Sequence, residues 1–176
     1  MIPTAFVLRR QRHLKWRALD GLEALLMALG CLCIIGFTTS VFLDVATREI
    51  GRPWLWLQQV TSGFFVYGVF IGMALATRRN DHMYLAEIVA AMRGHSRRNL
   101  EVFGRLVVIA VALCMVVFGW ENFLHDLGSY RMPSLIPLGY YTISIPISGA
   151  LIALFTVEQL VNGLRNGFRD PEEETP

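Results

Sequence analysis

The sequence predicts an all-α integral membrane protein: four transmembrane helices with both termini cytoplasmic, and a short amphipathic cytoplasmic surface helix between the second and third spans. Three observations lead there. Apolar residues make up 54% of the 176 and charged residues only 17%, with a mean hydropathy of +0.46, which is outside the balance of a soluble domain. The charges are also segregated, because residues 24–43, 53–77, 106–120 and 132–157 contain no Asp, Glu, Lys or Arg. The basic residues, finally, fall by turns on opposite sides of these runs, thirteen against three, and the richer side is the cytoplasmic one.

The chain opens on a basic tail, residues 1–17, with Arg9, Arg10, Arg12, Lys15 and Arg17. The apolar run after it is longer than a signal-peptide core and lacks a small-x-small cleavage site, so it is read as an uncleaved first span over 18–46. Near its outer end Asp44 precedes Arg48 by one turn, the favourable order for an i,i+4 ion pair. Gly51 and Pro53 then break the chain, making the first two spans antiparallel neighbours.

The second span, 54–77, begins WLWLQQ. Trp54 and Trp56 suit the outer membrane interface, where indole rings bury their bodies and turn their N–H to water. Gln58 and Gln59 lie a turn deeper, as amides able to bond a neighbouring helix, a headgroup or a partner. Gly68, Gly72 and Ala76 recur at four-residue spacing, a small-residue stripe along which another helix can approach. In the connection that follows, Leu85, Ile88, Val89 and Met92 form one apolar face, with Asn80 or Asp81 to cap and Gly94 to stop. This predicts a surface helix over 81–94, too short to span and flanked by arginines, resting on phospholipid or a partner.

The third span, 99–124, has an uncharged run of 15 residues that reaches only about 22 Å. Arg105 and Glu121 must therefore snorkel to opposite interfaces, or one must be paired inside the bundle. The fourth span, 137–162, starts at Pro137, and Pro146 inside it deprives the Thr142 carbonyl of its donor, predicting a kink. Thr142, Ser144 and Ser148 can supply hydroxyls there. The acidic cytoplasmic tail is 163–176, and its PEEETP end reads as exposed and disordered.

Chemistry is sparse in this pattern. Bis-histidine haem needs imidazoles at membrane depth, whereas His13, His82 and His95 fall on the cytoplasmic side and His125 near the outer surface. Cys31, Cys33 and Cys114 have neither CxxC spacing nor a neighbouring His, and read as small apolar fillers. No nucleophile sits beside a base, so no catalytic, metal or cofactor site is expected. Nucleic acid is not an expected partner, because the basic residues are distributed as a topology signal. Glu23, Asp44, Glu101, Arg105, Glu121 and Glu158 all lie near predicted interfaces, where pairing or snorkelling suffices; coupling-ion or substrate contact is the alternative for Glu121 and Glu158. Four spans without repeats, broken helix pairs or a buried charge cluster do not make a complete secondary transporter.

Residues 45–150 resemble the small membrane subunit of tripartite ATP-independent periplasmic (TRAP) transporters, the DctQ-like family. VATREIGRPWLWLQQ is similar to that family's Arg at the end of the first helix, short turn, and Trp followed by polar residues. FFVYGVFIGMALATRRNDHMYLAEI looks like its aromatic, Gly-rich second helix running into a basic turn and a His, and PSLIPLGYYTISIPISGAL like its Pro-initiated fourth helix with an internal Pro. Arg48, Trp56, Gly72, His82, Pro137 and Pro146 fall on family positions. The resemblance implies a bacterial inner-membrane protein without enzymatic activity. It would be a fixed scaffold for a large multi-spanning subunit that carries substrate and sodium, with a periplasmic binding protein delivering an organic acid. One departure is marked: Gln58 and Gln59 stand where the family often has two acidic residues, leaving their partner contact to neutral amides. Gln58, Gln59, His82 and Glu121 are thus candidate partner contacts; Gly68, Gly72, Ala76 and Pro146 are candidate packing positions. Two other readings are carried beside this one, a membrane anchor of a respiratory enzyme and a small homo-oligomeric exporter.

Overall fold

The computed structural model describes residues 14–79, 95–132 and 135–166. The surface helix expected over 81–94, with His82, and the tail beyond residue 166 lie outside these residues. After a single 3-10 turn, Arg17–Leu19, come α1 (Asp20–Glu49), α2 (Leu57–Arg79), α3 (His95–Asp126), two short strands β1 (Tyr130–Arg131) and β2 (Ile136–Pro137), a one-turn helix α4 (Gly139–Thr142) and α5 (Ser144–Asn166). Among the described residues four helical stretches, with α4 and α5 forming the fourth, are long and apolar enough to cross a membrane.

Local chemistry sets the ends. Asp20 and Glu23 lie in the first turn of α1 and Arg48 in its last, each sign suited to the helix dipole there. Gly51, at φ +76°, adopts the left-handed conformation that lets the Arg52 N–H reach the Thr47 carbonyl (3.0 Å) and the Gly51 N–H reach that of Arg48 (2.9 Å), closing α1 with a Schellman motif. With 32 residues, α3 runs for about 48 Å, more than the hydrocarbon core needs. The short uncharged run therefore does not limit the third span. Arg105 does not snorkel: it is buried and bonds the Glu101 carboxylate one turn earlier.

The fourth span differs most from expectation. Pro137 does not begin a helix but ends β2, which pairs antiparallel with β1 through Tyr130 opposite Pro137 and Arg131 opposite Ile136. A two-residue strand at the edge of a hairpin accommodates a residue without an N–H. The helix then starts at Gly139 and is interrupted at Ile143, between α4 and α5, where the backbone keeps helical angles (φ −61°, ψ −23°). Pro146 becomes the third residue of α5, in the first turn, where helical N–H groups lack intrahelical partners anyway. The Ser144 hydroxyl donates to the Tyr141 carbonyl (2.6 Å), and the Ile147 N–H reaches Ile143 only at 3.4 Å.

Laterally the helices form a row in the order α1, α2, α5, α3, each packed on the next. The apolar core is correspondingly small: Leu26, Ala74, Ala112, Ile152 and Phe155. Glycines set the closest crossings. A Cβ on Gly149 would stand 2.9 Å from the Ala112 carbonyl oxygen of α3, and one on Gly36 would stand 2.6 Å from the Phe64 ring of α2. On one side of the row, α1 and α5 rise beside α2 and leave an apolar groove of about 210 Å³, lined by Leu26 and Leu29, Tyr67 and Ile71, and Ile147 and Leu151. The outward faces of α1 and α3 are apolar and open, with Ile34 and Phe118 64% and 65% exposed, as lipid or a partner helix requires.

Candidate functional site

At one end of the row α1 begins while α2 and α5 end, so charges that are far apart in sequence meet. Arg78 occupies the last turn of α2, Asp20 and Glu23 the first turn of α1, and Glu158 the second half of α5. Arg78, Glu23 and Glu158 are each 0% exposed. The Arg78 guanidinium donates to Glu23 from Nη1 (2.7 Å), to both Glu158 oxygens from Nε (3.3 Å) and Nη2 (3.4 Å), and to Asp20 from Nη2 (3.1 Å). It also donates to the backbone carbonyls of Leu19 (2.7 Å) and Trp16 (3.2 Å), and its plane lies 5.4 Å from the Phe155 ring centroid. An arginine carries five N–H donors in a rigid fork, and this arrangement engages every nitrogen.

Around this hub the polar groups continue in register. Arg79 bonds the second Glu23 oxygen at 3.3 Å. The Glu158 carboxylate accepts the Trp16 backbone N–H at 2.5 Å, the Trp16 indole donates to Asn162 (2.8 Å), and the Asn162 amide donates to the Leu14 carbonyl (3.0 Å). Gln159 donates to the carbonyls of Thr77 (2.6 Å) and Arg78 (3.2 Å), satisfying two acceptors that the end of α2 leaves without helical partners. Lys15 is buried beside the cluster; burial pushes its ammonium below the usual range, and Glu23 offsets part of that fall. Opposite charges and saturated donors are the conditions under which ions tolerate an apolar surround. Through these contacts residues 14–19 form a strap from α5 across the end of α2 into α1.

At the other end, Gln59 is buried, 3% exposed, and its amide nitrogen donates to the carbonyls of Met132 (2.5 Å) and Arg131 (3.2 Å) in the hairpin. Its own carbonyl accepts the Tyr141 hydroxyl at 3.0 Å, and Arg131 lies over the Tyr141 ring. Its side-chain oxygen is buried without a partner among the described residues. The Gln59 amide nitrogen is thereby committed to its own chain, whereas Gln58 is exposed.

The remaining candidates are dispersed. Trp54 and Trp56 stack on each other, centroids 5.8 Å apart, both about half exposed. Asp44 and Arg48 are 3.0 Å apart. The glycine stripe divides, since Gly68 faces Cys33 of α1 at 3.4 Å whereas a Cβ on Gly72 meets nothing within 4 Å. Ala76 is partly buried, Glu121 is exposed, and Pro146 packs on Gly119 of α3, where a Cβ would stand 3.0 Å from its ring. Among the described residues no grouping of His, Cys, Asp and Glu is suited to a metal ion.

Sequence reasoning missed the hub. It expected no buried charge cluster, which the hub contradicts, because it counted Arg78 as one more basic residue of the topology signal and allowed Glu23 and Glu158 a paired role without joining them. The available signal was that all three directly adjoin an uncharged run, Glu23 before 24–43, Arg78 after 53–77 and Glu158 after 132–157, with Arg78 seven residues from Ile71 and Glu158 seven from Leu151, on the faces that line the groove.

Comparison with known proteins bears on the whole row. Residues 37–166 match the family model described as tripartite ATP-independent periplasmic transporters, DctQ component. The sialic acid TRAP transporter small permease protein SiaQ of Vibrio cholerae serotype O1 is 20% identical over 129 residues, covering 70% of this chain and 75% of that protein.

Proposed function

Since the chain belongs to the DctQ component family of the tripartite ATP-independent periplasmic transporters, we propose that it is a non-catalytic scaffold for sodium-coupled uptake of an organic acid. In this reading it lies in the bacterial inner membrane with both termini cytoplasmic, paired with a large multi-spanning subunit. A periplasmic binding protein delivers the substrate to that subunit. The observation that carries the scaffold role is the commitment of the buried span charges to one another, in the Arg78 hub and the pair of Glu101 and Arg105. A subunit that moves ions or anions presents uncommitted polar groups along a path through the membrane, and a frame does not need them. The open apolar flanks of α1 and α3 and the uncovered Gly72 give a partner's helices somewhere to pack. The thirteen-to-three bias of basic residues supports cytoplasmic termini. The similarity to a small permease named for sialic acid supports an acidic substrate.

The test is coexpression with a large TRAP subunit followed by purification in mild detergent and reconstitution. The two chains are expected to copurify, and sodium-driven flux in liposomes is expected only when both are present with the binding protein. Flux from this chain alone would establish the exporter reading instead.

A further inference from the structure

Helices α1 and α5 flank α2, yet among the described residues they share no extended packing, and above the hub the apolar groove separates them. Beyond the small core that Leu26 shares with Ile152 and Phe155, the contacts joining them are polar. The strap is held to α5 by the Trp16 N–H on Glu158, the indole on Asn162 and the Asn162 amide on the Leu14 carbonyl. Because the strap continues directly into α1, fixing it to α5 fixes where α1 begins. Arg78, from the helix between them, bonds the strap, α1 and α5 with one rigid group. Apolar contact is non-directional and permits helices to slide or turn on each other, whereas charge-assisted hydrogen bonds fix angle as well as distance.

We propose that the Arg78 hub is a conformational lock that sets the spacing and relative rotation of α1 and α5, two helices without extended packing on each other, and so makes the row one rigid frame. The consequence for transport rests on the scaffold reading; the lock itself is a property of this chain. The planar fork is the working part. A lysine keeps the charge but engages the strap, α1 and α5 only with a point donor, and cannot hold all three in one geometry.

The lock is tested on the full chain in lipid nanodiscs by electron–electron distance measurements. Cys31, Cys33 and Cys114 are replaced by Ala, and nitroxides are placed at Leu25→Cys of α1 and Leu164→Cys of α5, both exposed. A reference pair at Leu113→Cys and Leu154→Cys reports α3 against α5. The unaltered hub is expected to give one narrow distance for Leu25 and Leu164. Arg78→Lys and Glu158→Gln are each expected to lose that single peak and shift population to longer distances, with the reference pair unchanged. Retention of the narrow peak in both variants overturns the lock, and so does equal broadening of the reference pair, which would indicate general loosening. Should Arg78→Lys fail to accumulate, Glu158→Gln and Asn162→Leu decide the matter by the same criterion. Copurification of the unaltered chain with the large subunit is scored separately: its failure removes the scaffold reading while the distances still judge the lock.

Discussion

Arg78 shows how a single residue can tie down a membrane protein's end. Its guanidinium is fully buried against three carboxylates and two backbone carbonyls, so removing it takes away the counter-charge those buried acids share and leaves Arg79, on one Glu23 oxygen, to offset only part of it. Arg78→Met is expected to cost about 3–5 kcal/mol, the range for breaking a buried ion network from one side, read as a large fall in melting temperature in mild detergent. Gln59 raises the opposite issue, polarity rather than charge. Its amide nitrogen faces two carbonyls, and a carboxylate there would set acceptor against acceptors. Gln59→Glu should therefore destabilise the hairpin end by about 1–3 kcal/mol, whereas Gln58→Glu, on an exposed side chain, should leave the melting temperature near that of the unaltered chain. A similar melting temperature for the two variants would contradict the structural role of Gln59. The paired glutamines were legible as a polar feature near a span end; that one faces inward to a loop 72 residues away depends on how α2 is rotated, which neighbouring identical residues do not reveal.

For the helices, small residues decide which pairs can approach. Gly149 meets the α3 backbone so closely that any side chain must push the helices apart, and Gly149→Val is expected to cost about 1–3 kcal/mol as overpacking, visible as a lowered melting temperature of the isolated chain. Gly72 is open, so Gly72→Leu should leave that melting temperature unchanged and reduce copurification with the large subunit. If Gly72→Leu copurified normally, the open face of α2 would not be the partner surface. Four-residue spacing made Gly68, Gly72 and Ala76 look equivalent, but on an α-helix such a stripe drifts by about 40° per step. That drift turns Gly68 toward Cys33 of α1 and leaves Gly72 outside the seam. The break before α5 was foreseeable from Pro146; the loss of Pro137 to a hairpin was not, because a proline with φ near −65° suits a strand end as well as a first helical turn.

Across the molecule, a row one helix thick has little interior, and its flanks α1 and α3 stay open over most of their length. Such a chain is completed by lipid and by a partner, and deleting the hub should reduce uptake by the assembled transporter along with frame rigidity. The sequence by itself determined that, among the described residues, there are four helical stretches long and apolar enough to span a membrane. Those properties are local, because hydrocarbon selects on the composition of each segment before helices meet. Only the tertiary structure decided that α5 lies between α2 and α3, that Arg78 meets a glutamate 80 residues away, and that Gln59 holds the hairpin. Lateral order and rotation are set by packing between helices, and an apolar residue that faces lipid has the same chemistry as one that faces a neighbour.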